Sequence, residues 1–434
     1  MISADHSSSS SITNMEREHL RGRRVAVVVF SHYPSDPRPR REAETLAQLG
    51  MEVDVISIKQ NEDGLGRETF NGVNILRVPI KHRRGGKVAF VFQYVSFILI
   101  SFFLLAFRSV TRRYCLVHVH NMPDVLVFAG LVPKMCGAKV MLDLHDPMPE
   151  LMMTIFGLEQ QNLSVRLLKK FEKWSIGFSH LVVTPNIAFQ KLFGARSCPA
   201  GKLQVIMNCP DEDIFQFREV ADQSPVERSM AKPFVLMYHG ALVERHGLDI
   251  AVKAFDSVRA SIPNVELRIF GRRTPFLDQV MDLVRKLGLE DSVKYMGAKS
   301  LEQIVQAIDD CDLGIIPNRR SVFTEMNMPT RIFEYLARAK PVVAPRTLGI
   351  QDYFKKDEII FFEPDNWEDL ACKVHYVYSK PRDVNEVIRR GQAVYQGHRW
   401  SEERLRFVRV ASELMGGNDG WSKRQAKPFI KPTV

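Results

Sequence analysis

Met326-Asn-Met-Pro-Thr-Arg-Ile-Phe-Glu-Tyr-Leu-Ala-Arg-Ala-Lys-Pro-Val-Val-Ala-Pro345 reads as a loop, a helix opened by Pro329 at a first-turn position, and a short buried strand over Val342 to Ala344. Thr330 and Arg331 fall in the first helical turn, where unpaired backbone N–H groups and the positive end of the helix dipole favour an anion such as a diphosphate. Glu334 follows one turn later and can accept hydrogen bonds from sugar or ribose hydroxyls, while Ile332, Phe333, Leu336 and Ala337 form the inward face. Proline-started helices that run into buried strands are common in α/β proteins, and a glutamate on such a helix is usually just solvated. The reading therefore rests on what surrounds it.

Working outward, Tyr238-His-Gly-Ala-Leu-Val-Glu-Arg-His-Gly-Leu-Asp249 follows an apolar strand, Phe234 to Met237, and precedes an amphipathic helix through Ala251, Val252 and Phe255. Strand, glycine loop and helix in that order is the phosphate-cradling arrangement of doubly wound sheets. Leu267-Arg-Ile-Phe-Gly-Arg-Arg273 ends a strand on glycine and two cations, and Leu313-Gly-Ile-Ile-Pro-Asn318 ends one on a proline turn.

Taken in order, these four segments resemble the C-terminal half of the family 4 glycosyltransferases, retaining enzymes of the GT-B architecture and here of bacterial polysaccharide type. The resemblance extends from about Val25 to about Leu414. It implies an α/β fold of two Rossmann-like doubly wound domains facing a central cleft. It also implies a nucleotide-sugar donor, and a diphosphate held by helix dipoles and cations rather than by a metal, so no cofactor and no metal are expected. The family's helix carries a Glu-x7-Glu pair whose second member binds the ribose; Glu334 matches it, but Met326 stands where the first belongs, with Glu325 one place away. Backbone amides of Met326, Asn327 and their neighbours up to Thr330 are expected to take over part of that role. The family's Gly-Arg-Leu-x-x-x-Lys-Gly loop becomes Gly240 to Gly247 with both cations replaced, leaving Arg245, Arg272 and Arg331 to neutralise the leaving diphosphate. Gly240 and Pro317 complete the expected donor contacts.

Composition agrees with a two-domain enzyme: 434 residues exceed what one core usually organises, and 45% hydrophobic with 25% charged residues is ordinary for a globular chain. The sequence divides into a disordered Ser-rich leader (1–23), an N-terminal Rossmann-like acceptor domain (24–216), a linker (217–233), a nucleotide-sugar domain (234–395), a crossing helix (396–416) and a basic tail (417–434). Six scattered cysteines lack Cys-x-x-Cys or metal-ligand spacing, which favours a reducing compartment, and the leader lacks a signal-peptide core. A cytoplasmic location follows as the expectation. The formal charge of +10 is spread along the chain without an aromatic-interleaved basic motif, which excludes nucleic acid as the expected partner.

A membrane surface fits the charge better. Val88 to Phe107 carries no charge and is flanked by Arg83, Arg84 and Lys87 before it and Arg108, Arg112 and Arg113 after it. It is long enough to span a bilayer, but strands of one parallel sheet are expected on both sides of it in sequence, which a span would separate. A buried core helix is the alternative. The favoured reading is a helix lying in the interface of the inner membrane with its basic flanks on anionic headgroups, suited to a lipid-linked or glycan acceptor.

In the N-terminal half, strands are expected at Val25, Val53, Val73, Cys115, Val140 and Leu181, and the residues just after strand ends should line the acceptor crevice. Three clusters qualify: Ser35 to Arg41, His118 to Asp124, and Asp143 to Glu150. The resemblance places a histidine near the donor sugar at the end of the Val140 to Leu144 strand. His145 matches it, and His145 with Asp146 form the candidate catalytic pair. Asp36 and Arg38, read as a loop after the first strand, and His120 are the acceptor-side candidates. Two Asp-x-Asp matches, at Asp211 and Asp310, read as capping carboxylates rather than a metal site. A dinucleotide enzyme is disfavoured, since no Gly-x-Gly-x-x-Gly follows the first strand. A GT-B nucleotide-sugar epimerase and a non-catalytic transferase-like subunit of an assembly complex remain as rival functions.

Overall fold

The computed structural model describes residues 12, 14–59, 67–80, 87–199, 201–220 and 232–416. Most of the leader and of the linker, the whole basic tail, and Arg83 and Arg84 lie outside these. The chain forms two compact units; the first runs to Met207 and resumes at Ser401, and the second spans Asn208–Trp400. Asn208 to Phe215, read from sequence as the end of the first domain, thus groups with the second.

The first unit is built on an eight-stranded sheet. Its strands are β1 (Arg24–Val28), β2 (Glu52–Ile58), β3 (Arg67–Phe70), β4 (Val73–Val78), β5 (Leu116–His120), β6 (Lys139–Asp143), β7 (Leu181–Thr184) and β8 (Leu203–Val205). They lie in the order β3-β4-β2-β1-β5-β6-β7-β8. Runs such as Arg-Val-Ala-Val-Val and Leu-Val-His-Val-His are apolar on both faces, as strands covered by helices on each side must be. Every pairing is parallel except β3 with β4, an edge hairpin turned by Asn71-Gly72 with φ of 48° and 79°. Asn-Gly at positive φ is the turn whose twist matches paired strands. The helix Trp400–Gly416 closes this unit, with Phe407, Val408, Ala411, Leu414 and Met415 in its core beside β1 and β2 residues. Its buried Glu403 accepts a hydrogen bond from the Met207 amide at 2.9 Å.

The second unit carries six parallel strands, β9 (Phe234–His239), β10 (Val265–Phe270), β11 (Val293–Gly297), β12 (Leu313–Ile315), β13 (Val342–Pro345) and β14 (Ile360–Phe362). Their order is β11-β10-β9-β12-β13-β14. In each sheet the chain moves one way from its first strand and then returns to add strands on that strand's other side. The reversal falls between β1 and β5 in one unit and between β9 and β12 in the other. Such switch points open a crevice at the strand C-termini, because the flanking connections leave in opposite directions.

The helix Lys87–Arg112 joins β4 to β5 within one sheet. It is long and apolar enough to cross a membrane. One face is packed: Phe97, Ser101 and Leu105 are fully buried, and Phe30 meets Tyr94 and Phe97 edge-on at 4.7 and 5.2 Å between ring centroids. The opposite face shows Phe92, Phe103 and Phe107 at 73%, 65% and 77% exposure, with Val91, Leu99 and Val110 alongside. The helix is therefore not a core helix throughout. One expected headgroup contact is corrected. Arg108 points inward, 2.7 Å from the Asp54 carboxylate and 2.9 Å from the Tyr114 hydroxyl, because a buried carboxylate in β2 requires a cation.

Candidate functional site

In the second unit the donor-side candidates gather at the β9/β12 switch point. Gly271, after β10, has φ +155°, and a Cβ there would sit 2.2 Å from the Gly240 carbonyl oxygen. Gly247, at φ +61°, would place a Cβ 2.0 Å from the carbonyl oxygen of Pro317. Both loops thus approach neighbouring backbone at distances only glycine permits. The Arg331 Nη1 donates to the His239 carbonyl at 2.6 Å, and its guanidinium lies 4.9 Å from the Tyr238 ring centroid. Its Nη1 comes within 3.2 Å of where a Gly240 side chain would begin. Arg331 and the first glycine of the loop therefore share one spot, where β9 ends.

Glu334, 16% exposed, brings its carboxylate 3.4 Å from Nε2 of the buried His239. Burial first, and then the Arg331 charge, push His239 down to about 3, so its ring is neutral at physiological pH. Beside the Glu334 carboxylate is thus a neutral imidazole. His246, which replaces a cation of the family loop, is likewise pushed down to about 3 by burial and by Arg331. Its Nδ1 lies 2.8 Å from the Ala241 carbonyl oxygen, so it braces the loop without supplying charge.

The helix after the loop is shorter than the sequence suggests. It spans Arg331–Ala337 with Thr330 at the N-cap, so Pro329 precedes the cap rather than opening the first turn. Seven residues make a small dipole, which shifts the electrostatic role to the Arg331 side chain. The amides of Met326 and Asn327 both reach the Phe323 carbonyl at 3.1 Å and are consumed locally, against the expectation that they would stand in for the missing glutamate. Glu325 is engaged too, pairing with Arg320 at 3.0 Å and accepting from the Leu348 amide. Thr330 Oγ1 lies 3.4 Å from the Asn208 carbonyl oxygen, Arg245 accepts a backbone bond from Arg319, and Arg272 is exposed beyond Gly271. Asp211 and Asp312 accept backbone amides, from Asp213 at 3.1 Å and Val235 at 2.8 Å.

In the first unit, the ends of β5 and β6 carry a buried cluster. His120 Nδ1 is 2.9 Å from His145 Nε2, and His145, partly exposed, is fixed through its amide to Asn121 Oδ1 at 2.8 Å. Asn121 also donates to the Asp146 carbonyl at 2.8 Å, which ties the loop after β6 to the loop after β5. Behind these lie Asp143, Glu42, His118 and Arg38. Arg38 corrects the sequence reading: it sits in the first turn of the helix Pro37–Gln48, buried, with its guanidinium fork on Asp143 at 2.8 and 3.0 Å. Asp36 is the N-cap of that helix rather than loop. Burial would raise the Asp143 carboxyl, but Arg38 and then His145 and His120 outweigh it and hold it well below the usual range. Glu42 is driven the other way, well above its usual value, by burial and by Asp143, against the opposing pull of Arg38. Glu150, from the same segment as His145, belongs to a separate ion triad in which Arg196 joins it to Glu172, at 3.0 and 2.8 Å.

Glu42 was not singled out from sequence, and His118 and Asp143 entered only as the first residues of their clusters. The legible signal was His118-Val-His120, since residues i and i+2 of a strand face the same side.

Residues 35–209 match the glycosyl transferase 4-like domain family, and residues 220–394 match the glycosyl transferases group 1 family. The amylovoran biosynthesis glycosyltransferase AmsK of Erwinia amylovora is 23% identical over 172 residues, which are 39% of this chain and 40% of AmsK. The chain thus aligns with less than half the length of that curated relative. The sucrose-phosphate synthase of Thermosynechococcus elongatus superposes with a TM-score of 0.72 at 17% identity, over 91% of this chain and 100% of that one. Anabaena HepE, solved in complex with UDP-glucose, superposes with a TM-score of 0.66 at 17% identity, over 90% and 99% of the two chains.

Proposed function

Since the chain belongs to the group 1, family 4-type glycosyltransferases with the GT-B fold, we propose that it moves a hexosyl or N-acetylhexosaminyl group from a nucleotide-sugar to a lipid-linked or glycan acceptor, with retention of configuration, in surface polysaccharide or glycoconjugate synthesis. The observation that carries this reading is the convergence of Arg331, Gly240 and Glu334 on the end of β9. It offers a cation and a carboxylate at one switch point. The UDP-glucose in the HepE complex and the part of AmsK in amylovoran biosynthesis support the donor class and the pathway type.

On this reading Glu334 takes the ribose hydroxyls. Breaking the anomeric bond develops negative charge on the departing nucleoside diphosphate, which Arg331, with Arg245 and Arg272, offsets more strongly in the transition state than in the ground state. The acceptor hydroxyl attacks from the face the diphosphate leaves, and a phosphate oxygen takes its proton, so no protein carboxylate acts as nucleophile. His145 and Asp146 serve the reacting sugar. Under this proposal the enzyme works at the cytoplasmic face of the membrane, and the exposed phenylalanine face of the helix Lys87–Arg112 is the surface that meets lipid.

The test is incubation of the purified protein with membrane extract and a panel of UDP- and GDP-sugars. Extract-dependent release of one nucleotide, with the sugar recovered on lipid or glycan, is expected. Conversion of the nucleotide-sugar to an isomer without extract would point to an epimerase instead, and no affinity for any donor would point to a non-catalytic subunit.

A further inference from the structure

Behind His145 lies a group of side chains to which the transfer steps above assign no role. We propose that Glu42, His118 and His120, with Asp143 beside them, form a buried site for one divalent transition-metal ion, zinc by its donor chemistry. Glu42 Oε2 is 3.5 Å from His118 Nε2 and 3.8 Å from His120 Nε2. Asp143 Oδ2 is 3.9 Å from His118 Nε2 and 3.4 Å from His120 Nδ1. One donor atom from each of the four falls within 4.8 Å of the others. In a tetrahedral site with bonds near 2.0–2.1 Å, donors stand roughly 3.3 Å apart, so the four distances above need to close by about 0.1–0.6 Å and the widest pairs of the set by more, through side-chain rotation around the ion. Two imidazoles with carboxylate oxygen suit zinc better than the all-oxygen ions calcium or magnesium.

Two further observations point to a ligand. Both Glu42 oxygens, both His118 nitrogens and His120 Nε2 are buried without a hydrogen-bond partner, a concentration of unmet polar atoms that native interiors avoid. The ionic partners of the two carboxylates are also shared: the Arg38 Nε lies 2.8 Å from Asp143 and only 3.5 Å from Glu42. A proton on Glu42 would satisfy one of these atoms and its acceptor, whereas an ion would take up Glu42, His118 and His120 together. Arg38 donates one hydrogen bond to each oxygen of Asp143, which leaves the second lone pair of Oδ2 as the fourth donor to the ion.

The site reaches the reacting face through one ring. A histidine bound through Nε2 carries its proton on Nδ1, and His120 Nδ1 faces His145 Nε2 at 2.9 Å. An ion here would make His145 Nε2 the acceptor and leave its proton on Nδ1. The metal site itself does not depend on the transferase reading.

Because the cluster is enclosed, the ion is loaded during folding. Full-length, tag-free protein with the exposed Cys136 and Cys372 changed to serine is unfolded in chelator and refolded with Co(II), with Zn(II), or with neither. One ion per chain by elemental analysis, a tetrahedral Co(II) spectrum abolished by Zn(II), and a higher Tm with zinc are expected. Glu42→Gln and His118→Asn should each weaken binding at least about tenfold. Refolded wild type that holds no metal and melts alike with and without zinc overturns the proposal, as does equal uptake by the folded variants. If the variants do not fold, the wild-type stoichiometry and Tm decide alone. An infrared band of a protonated carboxylic acid in metal-supplemented wild type, lost in Glu42→Gln, also overturns it, by placing the proton where the ion should be.

Discussion

Glu334 and Arg331 differ in how much of the fold depends on them, and that makes Glu334 the cleaner probe. Arg331 holds the His239 carbonyl and stacks on Tyr238, so its loss disturbs the loop itself, whereas the Glu334 carboxylate stands 3.4 Å from the neutral His239 ring. Hydrogen bonds to a charged group are worth about 1.5–3 kcal/mol. Glu334→Ala should therefore weaken nucleotide-sugar binding in calorimetry roughly ten- to a hundredfold, abolish most transfer, and leave the melting temperature within a degree or two. Unchanged affinity would remove Glu334 from the donor site. Gly247→Ala acts on the scaffold instead. A side chain there meets both a left-handed backbone and the Pro317 carbonyl, and a cost of about 2–4 kcal/mol in denaturant unfolding is expected. At this scale the sequence exposed residue types and spacing but not partners. Arg331, Glu334 and Gly240 could be named because one turn of helix and one glycine loop are local. Arg38 was misplaced because its partner, Asp143, is 105 residues away. His246 was legible as a lost cation, but that it braces Ala241 depends on a bend of the chain that no local pattern encodes.

Among the elements, the helix Lys87–Arg112 is where pattern and outcome part most clearly. Its apolar run was plain in sequence, but a helix that is apolar all round does not reveal which face packs, because the periodic contrast with polar residues is missing. Packing against Phe30 settles it, leaving the Phe92, Phe103 and Phe107 face outward. Burying a phenylalanine is worth about 1.5–3 kcal/mol, so changing all three to serine should lower partitioning onto anionic phosphatidylglycerol vesicles by a hundredfold or more. Circular dichroism and thermal stability should hold, since these side chains contribute little to the core. Equal sedimentation of wild type and triple variant with vesicles would refute the membrane reading. Elsewhere the elements were largely legible. β1, β2 and β4 to β7 follow from apolar runs at their expected positions, while the β3–β4 hairpin was missed although Asn71-Gly72 announces it. β8 is three residues long and carries too little pattern to read.

At the level of the whole molecule, two parallel sheets place buried histidines at strand ends, and this makes stability depend on pH in a definite direction. The ordinary value for a histidine is 6.5, and the buried His239 of the second unit lies at about 3 in the folded protein. Between those values the unfolded chain binds a proton that the folded unit does not. The stability that neutral His239 contributes is therefore fully present above about 6.5 and is lost as pH falls toward 3. Each such proton is worth about 1.4 kcal/mol per pH unit. His246, shifted in the same direction by burial and by Arg331, steepens the dependence. Urea unfolding of the second unit should thus show a midpoint that falls from pH 7 to pH 5. His239→Gln, which removes one of these protons from the balance, should flatten that fall by about 1.4 kcal/mol per pH unit. A wild-type midpoint equal at the two values would mean that His239 takes up its proton within the folded unit. In that event it would face Glu334 as a cation, and the carboxylate proposed to receive the ribose would already be neutralised.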